Sequence, residues 1–288
     1  MVAEELRLEL GHGVLAGLRW GDPAAPPLLA LHGWLDNAGS FAALAPLLAE
    51  RWHLVAIDLR GHGQSSHIAP GAWYHYVDYF DDVRGALDAL GWQRASLLGH
   101  SLGAALAGQF AAIYPERVER LLLVEGLGPL TSTLDDALPR LRQALDQHAA
   151  FAARRPLRVY ATLEQAIAAR CAANDLSEAA ARAIVTRGVR EVAGGWVWSS
   201  DPRLTVVSPQ RYSEEEVLAM LALIRAPACL VLADPPTHYL PTAMMDARAA
   251  RVPDMQVARL PGNHHLHLEH AAAVAAALRA VPPAPAQA

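Results

Sequence analysis

One serine of this sequence stands in a context that suits a nucleophile. Residues 97–105 read LLGHSLGAA, so Ser101 lies in a Gly-x-Ser-x-Gly segment between an apolar run and a stretch of small residues. This order predicts a strand, a sharp turn and a helix, and such a turn exposes the serine hydroxyl at the carboxyl edge of a sheet. The same five residues can also form a simple tight turn. The strand before Ser101 and the helix after it favour the nucleophile.

A serine hydroxyl reacts slowly until a base takes its proton, so a histidine is also needed. Residues 260–270, LPGNHHLHLEH, supply four histidines directly after an apolar run. The order His265-x-His267-x-Glu269-His270 is similar to the H-x-H-x-D-H zinc motif of metallo-β-lactamase-like hydrolases, with Glu in place of Asp. That motif needs further ligands downstream, and the 18 residues after His270 contain no His, Asp, Glu or Cys. We therefore expect no metal here and expect the extra histidines to be solvated.

The elements that would position these residues follow from the alternation of short apolar runs with longer stretches of helical periodicity. This alternation is typical of parallel strands buried between crossover helices. We predict strands at Glu5–Leu10, Val14–Trp20, Leu28–Leu31, His53–Ile57, Ala95–Leu98, Leu121–Val124, Ala228–Leu232 and Gln256–Leu260. We predict helices at Ser40–Ala49, Tyr76–Leu90, Leu102–Tyr114 and His267–Ala280. The predicted fold class is α/β, a mostly parallel eight-stranded sheet flanked by helices.

The alternation stops between residues 128 and 223, where Ala, Arg, Leu and Gln recur at helical spacing and only Trp196–Trp198 could form a strand. We predict that 128–223 is a helical cap inserted into a core made of 1–127 and 224–282, and that 283–288 is a flexible Pro- and Ala-rich tail. Arginines of this insertion recur at spacings consistent with outward helix faces: Arg154, Arg155, Arg158, Arg170, Arg182, Arg187 and Arg190.

Composition limits the classes of function. Hydrophobic residues make up 53% and charged residues 18% of the 288 positions, as in a globular protein. A net charge of -5 without a basic stripe argues against a nucleic-acid partner. The acidic start MVAEELRLEL and the absence of an apolar stretch of roughly 18 residues predict neither a signal peptide nor a membrane span. Two distant cysteines, Cys171 and Cys229, fit a reducing compartment, so we expect a cytoplasmic protein.

Four motifs in order resemble the α/β-hydrolase fold superfamily over nearly the whole chain. They are His32-Gly33, Asp58-x-Arg60-Gly61-x-Gly63-x-Ser65, Gly99-x-Ser101-x-Gly103 and Gly262-Asn263-His264. Within that superfamily, the stretches LHGWLDNAGSF, LLGHSLG, LGPL and GNHHLHL look like those of the serine hydrolase-like proteins. The resemblance implies that His264 is the base. It also implies an oxyanion hole made by the backbone N–H groups of Trp34 and Leu102.

The acid that would orient His264 has two candidates. Most relatives carry an Asp shortly after a Gly at the end of the strand that begins at residue 228; here Ala233 replaces that Gly and Asp234 comes early. Glu125 closes the strand after the nucleophile helix, where haloalkane dehalogenases place their acid and where serine hydrolase-like relatives tend to have a carboxylate. A carboxylate that ends a buried strand needs a partner, because burying it unpaired is costly. We favour Glu125 and keep Asp234 as the alternative.

These residues lead to a predicted function. We expect a cofactor-free serine hydrolase, carboxylesterase-like, that cleaves a small to medium uncharged ester through an acyl-enzyme. Hydrolysis of a lactone or a C–C bond, or a ligand-binding protein on a hydrolase scaffold with little turnover, are the alternatives. The aromatic residues of the cap could line an apolar pocket or pack against the helices of the cap itself. The predicted pocket residues are His32, Gly33, Trp34, His100, Trp196 and Trp198.

Overall fold

The apolar runs form a single large sheet in the computed structural model, which describes residues 2–151 and 157–282. The ten strands of this part of the chain are β1 (Glu4–Leu10), β2 (Gly13–Trp20), β3 (Pro27–Leu31), β4 (His53–Ile57), β5 (Ala95–His100), β6 (Val118–Val124), β7 (Val189–Val192), β8 (Gly195–Trp198), β9 (Ala228–Asp234) and β10 (Met255–Pro261). Eight of them form the sheet in the order β1-β2-β4-β3-β5-β6-β9-β10. β2 pairs antiparallel with both β1 and β4, and the other neighbours are parallel, which confirms the predicted mostly parallel eight-stranded sheet.

Helices cover both faces of this sheet. The α-helices of the described residues are α1 (Ala45–Leu48), α2 (Asp78–Ala89), α3 (Leu102–Ile113), α4 (Leu134–Ala149), α5 (Leu163–Asn174), α6 (Glu178–Gly188), α7 (Glu214–Leu221), α8 (Thr242–Ala249), α9 (Leu266–Glu269) and α10 (Ala271–Arg279), with 3-10 helices at Ala38–Phe41, Pro115–Arg117 and Pro202–Thr205. Because both faces are covered, the central strands are continuous apolar runs, and every residue of β4 and β5 is buried.

The core forms one cluster on each face of the sheet. One cluster holds Phe110 of α3 and Val83 of α2 against alternate residues of the strands. The other holds Phe41 and Leu278 of α10 on the opposite face. Successive side chains of a strand point to opposite faces, so Leu97 belongs to the first cluster and Leu98 to the second.

Several elements differ from the predictions. The predicted helix Ser40–Ala49 is a 3-10 turn followed by the four-residue α1, and the predicted helix His267–Ala280 breaks at His270 into α9 and α10. Helix α8 was not predicted. The cap also contains a hairpin, β7 paired antiparallel with β8. The turn between them is Ala193-Gly194, and Gly194 and the first residue of β8, Gly195, are both at positive φ, a conformation that glycine adopts without strain.

Two cap arginines face inward, so the expectation that these arginines point outward is wrong for Arg170 and Arg187. The Arg187 guanidinium of α6 is buried; its Nε donates to both oxygens of the Asp58 carboxylate at 3.1 and 2.9 Å, and its Nη1 donates to Glu5 at 2.8 Å. Arg170 of α5 pairs with the buried Asp36. Arg158 and Arg190 are exposed. Helices α5 and α6 are thus joined to the segments that follow β3 and β4 by ion pairs with buried carboxylates.

Two predictions concern positions that the structure does not describe. Arg154 and Arg155, and the predicted tail 283–288, lie outside the described residues. Within 2–151 and 157–282, none of the helices has both the length and the apolar character that crossing a membrane requires.

Replacing Arg187 by Leu is expected to destabilise the protein by about 3–5 kcal/mol, because the buried Asp58 carboxylate loses the cation that compensates it. The matched control is Arg182→Leu on the same helix, whose pair with Glu178 is solvent-exposed and worth less than about 1 kcal/mol. Urea unfolding of both variants measures the two free energies of unfolding. Equal losses of unfolding free energy in the two variants would show that the buried pair of Arg187 contributes no more to stability than the exposed pair of Arg182.

Candidate active site

Ser101 sits at the sharp turn between β5 and α3, with φ 52° and ψ -112°. A residue with a side chain rarely adopts this conformation, so the surroundings must hold it. Two nearby glycines leave room for this conformation. A Cβ at Gly99 would collide with the backbone of Gly103, and a Cβ at Gly126 would lie 2.6 Å from the Ser101 carbonyl oxygen. The Gly-x-Ser-x-Gly segment therefore forms the strand, turn and helix that its sequence predicts.

His264 follows β10 and lies beside the end of β6. Its Nδ1 is 2.9 Å from Oε2 of Glu125. The backbone N–H of Ser101 donates to the carbonyl of Val124 at 2.9 Å, which places the serine turn next to Glu125. The structure brings the Glu125 carboxylate and the His264 ring together, while the Ser101 hydroxyl makes no hydrogen bond to any described residue.

Glu125 is buried, at φ 53°, and its carboxylate accepts three hydrogen bonds. The donors are the backbone N–H of Ala233 at 2.6 Å, the Thr237 hydroxyl at 2.6 Å and His264. Burial alone would raise the pKa of Glu125, but the bonds from His264, Thr237 and Ala233 outweigh it and hold this pKa below its ordinary value. Thr237 thus helps to fix the position of the Glu125 carboxylate.

Asp234, the alternative acid, does not contact His264. It is the last residue of β9, and its side chain is exposed. Its backbone carbonyl accepts a hydrogen bond from Gly262 at 3.3 Å, so Asp234 positions the loop that carries His264 through its main chain. Of the two candidate carboxylates, only that of Glu125 reaches the histidine.

Of the two predicted oxyanion donors, Trp34 lies in the loop after β3 and Leu102 lies at the start of α3. Leu102 is the first residue of α3, and its N–H, like that of Trp34, has no hydrogen-bond partner among the described residues. Gly103 N–H donates to the His32 carbonyl at 3.1 Å and joins the loop of Trp34 to the serine turn. The Trp34 side chain is 53% exposed, and its Nε1 donates to the carbonyl of Leu204 in the cap at 3.2 Å.

The other predicted pocket residues have structural partners. His32 is fully buried; its Nδ1 is 2.7 Å from the Gly33 carbonyl, and its Nε2 accepts from the Leu59 N–H at 3.0 Å, so both ring nitrogens are engaged. Burial lowers the pKa of His32 to about 4. Trp196 and Trp198 are partly buried against the cluster of the cap, where Trp198 meets Tyr160 edge-on at 5.9 Å. These two tryptophans pack against the cap itself.

Asp36 was missed by the sequence reasoning, although it lies within the LHGWLDNAGSF stretch. Its buried carboxylate lies 3.6 Å from Nδ1 of His100, the residue before Ser101, and 3.5 Å from Nε2 of His265, the residue after His264. Arg170 of the cap donates to it as well. Burial would raise the pKa of Asp36, but His100, His265 and Arg170 hold it well below its ordinary value. One ionised carboxylate thus contacts the nucleophile turn, the histidine loop and the cap.

His265 and His267 are buried, which corrects the expectation that they are solvated, whereas His270 is exposed as expected. His267 is fully buried with its ring centroid 4.0 Å from that of His100, and neither of its nitrogens has a hydrogen-bond partner. Burial lowers the pKa of His100 to about 4 and that of His267 well below its ordinary value. Within 2–151 and 157–282, no three His, Cys, Asp or Glu side chains are arranged to hold a metal ion.

The model of the alpha/beta hydrolase fold family matches residues 26–271, so the chain belongs to that family. It is 36% identical to the serine hydrolase-like protein of Danio rerio, covering 96% of this chain and 87% of that protein. A hypothetical protein of Pseudomonas aeruginosa PAO1 is 42% identical, with a TM-score of 0.90 over 96% of this chain and 98% of the other. A thioesterase domain from the curacin biosynthetic pathway is 28% identical, with a TM-score of 0.84 over 97% and 100%.

Glu125→Gln is expected to lower kcat for ester hydrolysis by about 10⁴, because the amide keeps the shape but removes the charge that stabilises the imidazolium. Asp234→Asn is the matched control and is expected to stay near wild type, since its carboxylate is exposed. Steady-state kinetics on one p-nitrophenyl ester compare the two. A larger loss in Asp234→Asn would assign the acid to Asp234.

The buried neutral histidines predict that stability falls as the pH drops from about 6.5 towards 4. In this range the unfolded chain binds protons that the folded chain excludes, because burial lowers the folded pKa of His32 and His100 to about 4 and that of His62 to about 3. His267→Leu removes one such group and should flatten the dependence by about 1.4 kcal/mol per pH unit. Urea unfolding at several pH values measures this slope, with the exposed His75→Leu as control. An unchanged slope would contradict a neutral His267.

Proposed function

We propose that this protein is a cofactor-free serine hydrolase that cleaves a small to medium uncharged ester through an acyl-enzyme. Ser101 is the nucleophile, His264 the general base and Glu125 the acid that orients it. The observation that carries the proposal is the 2.9 Å contact between His264 Nδ1 and Glu125, formed beside a strained strand-turn-helix serine.

The protonation of His264 follows from its partner. An ionised carboxylate can only accept hydrogen bonds, so Glu125 places the proton of the neutral ring on Nδ1 and leaves Nε2 unprotonated. Nε2 then takes the proton of the Ser101 hydroxyl as its oxygen attacks the ester carbonyl. The imidazolium that forms is stabilised by Glu125 and returns the proton to the leaving alcohol. A water molecule, activated by His264 in the same way, then releases the acid.

The negative charge of the tetrahedral intermediate needs donors that are already oriented. The free N–H groups of Trp34 and Leu102 meet that need, and the dipole of α3, which begins at Leu102, adds to their effect. Both belong to the backbone, so they require no side-chain rearrangement. The bond between Gly103 and His32 keeps the two loops in register.

The ion pairs of Arg170 and Arg187 favour an uncharged substrate. Arg170 and Arg187 are each neutralised by buried carboxylates, so neither is available to bind a substrate anion. Apolar surface lies near the site: the Trp34 side chain is half exposed, and the Tyr239 ring meets the His264 ring edge-on at 5.3 Å. The names of the related proteins, a serine hydrolase-like protein and a thioesterase domain, support acyl transfer as the reaction class.

Purified protein is expected to hydrolyse a series of p-nitrophenyl esters with a graded preference over acyl length, since an apolar pocket gains only roughly 1–3 kcal/mol per methylene. Ser101→Ala should abolish turnover, and a fluorophosphonate should label the peptide that contains Ser101. Ser132→Ala, a loop serine, is the matched control and should keep full activity and labelling. Labelling elsewhere, or full activity in Ser101→Ala, would exclude this nucleophile; a folded protein that binds esters without turnover would favour a receptor.

A further inference from the structure

The first helix of the cap carries a row of exposed leucines. In α4, Leu134 is 91%, Leu138 75%, Leu145 53% and Leu141 37% exposed. Ala144 is the one buried residue of this 16-residue helix. Four exposed leucines on one face form a contiguous apolar surface of the kind that marks an interaction site. We call these four residues the leucine row.

The spacing of the leucine row is its second distinctive property. Its members are separated by four, three and four positions, and at about 100° per residue they fall within an arc of about 60° on the helix. This is the a/d pattern by which two helices pack. The spacing reads the same in both directions. A two-fold axis between positions 139 and 140 therefore brings each leucine opposite a leucine of a second copy.

We propose that the leucine row is a dimer interface, at which α4 packs antiparallel against α4 of a second copy of this chain. Leu134 of one copy meets Leu145 of the other, and Leu138 meets Leu141. An isologous contact of this kind closes on itself and forms a dimer rather than a fibre. The proposal does not rest on the proposed catalytic function.

Charges beside the leucine row select the antiparallel arrangement. Asp135 and Arg142 are both exposed and lie on the same flank of the row, seven residues apart, at equivalent heptad positions. In an antiparallel pair, equivalent flanking positions face each other, so Asp135 of each copy faces Arg142 of the other. If the two α4 helices packed in parallel, Asp135 of one copy would not face Arg142 of the other. Within the chain, Arg142 has only an exposed partner, Asp146 at 3.8 Å.

The other flank of the helix is occupied by the chain itself. Ala144, on that side, is buried, and His148 at the end of the helix stacks on Trp73 with a ring-centroid distance of 4.0 Å. Leu141 is the member of the row nearest Ala144, and it is also the least exposed. The packing inside the chain thus fixes the orientation of α4 and directs the leucine row outward.

Analytical ultracentrifugation of the full chain over a concentration series tests the proposal. Wild type is expected to dimerise, and Leu138→Glu is expected to remain monomeric. The matched control is Leu223→Glu, which changes a leucine that is 60% exposed outside the leucine row and should dimerise as wild type does. Thermal melting and ester hydrolysis check that each variant is folded. A wild type that stays monomeric, or a Leu138→Glu variant that still dimerises, overturns the proposal.

Charge exchange tests the register. Asp135→Arg alone and Arg142→Asp alone each place like charges at both contacts, so each should weaken dimerisation by about tenfold or more. An equal mixture of the two variants restores an opposite pair at both contacts and should associate about as tightly as wild type. Failure of the mixture to recover overturns the antiparallel arrangement. A monomeric wild type that binds lipid vesicles through Leu138 would assign the leucine row to a membrane surface instead.

Discussion

The arrangement of this site depends on how closely the chain approaches itself around the Ser101 turn. The start of α3 lies so near β3 that a Cβ at Gly103 would collide with the carbonyl of Leu31. Because this position has no side chain, the helix begins directly behind the serine and the loop after β3 can bond to it. The hydrogen bond from Gly103 to His32 joins the loop of Trp34 to the start of α3, the two segments that carry the proposed oxyanion donors.

Buried carboxylates join the separate segments that this contact brings near one another. Asp58 binds Arg187 of the cap and also accepts the backbone N–H groups of Ala38 and Gln64. Asp36 likewise contacts Arg170 and the two loops that carry Ser101 and His264, through His100 and His265. An ionised group in the interior tolerates few alternative positions, because any move that leaves it unpaired is costly. The ion pairs of Arg170 and Arg187 therefore restrict how helices α5 and α6 can lie against the rest of the chain.

Much of the fold could be predicted, because strands buried on both faces leave a plain apolar signal in the sequence. The serine turn was predicted from its motif. The assignment of His264 and the choice of Glu125 over Asp234 came from the resemblance and from the cost of burying an unpaired carboxylate, and they remain predictions that the contact between Glu125 and His264 supports. What the sequence could not reveal depends on contacts between distant residues. The burial of His267, the inward direction of Arg187 and the role of Asp36 are set by partners more than a hundred positions away or on other elements. The hairpin in the cap was signalled by Gly194-Gly195 between apolar residues, a pattern that helical composition on either side obscured.

The charges around His264 form a consistent set. Glu125 and Asp36 are held ionised, whereas the adjacent His100 ring is held neutral, in part by its proximity to His264. In the proposed mechanism, a positively charged His100 ring, 4.8 Å from that of His264, would oppose the imidazolium that forms when Ser101 attacks. A neutral His100 can still donate from Nε2 to the His264 carbonyl at 2.8 Å and hold the loop in place. Its burial thus removes the competing charge while keeping the hydrogen bond, which suits the proposed transfer of the Ser101 proton to His264.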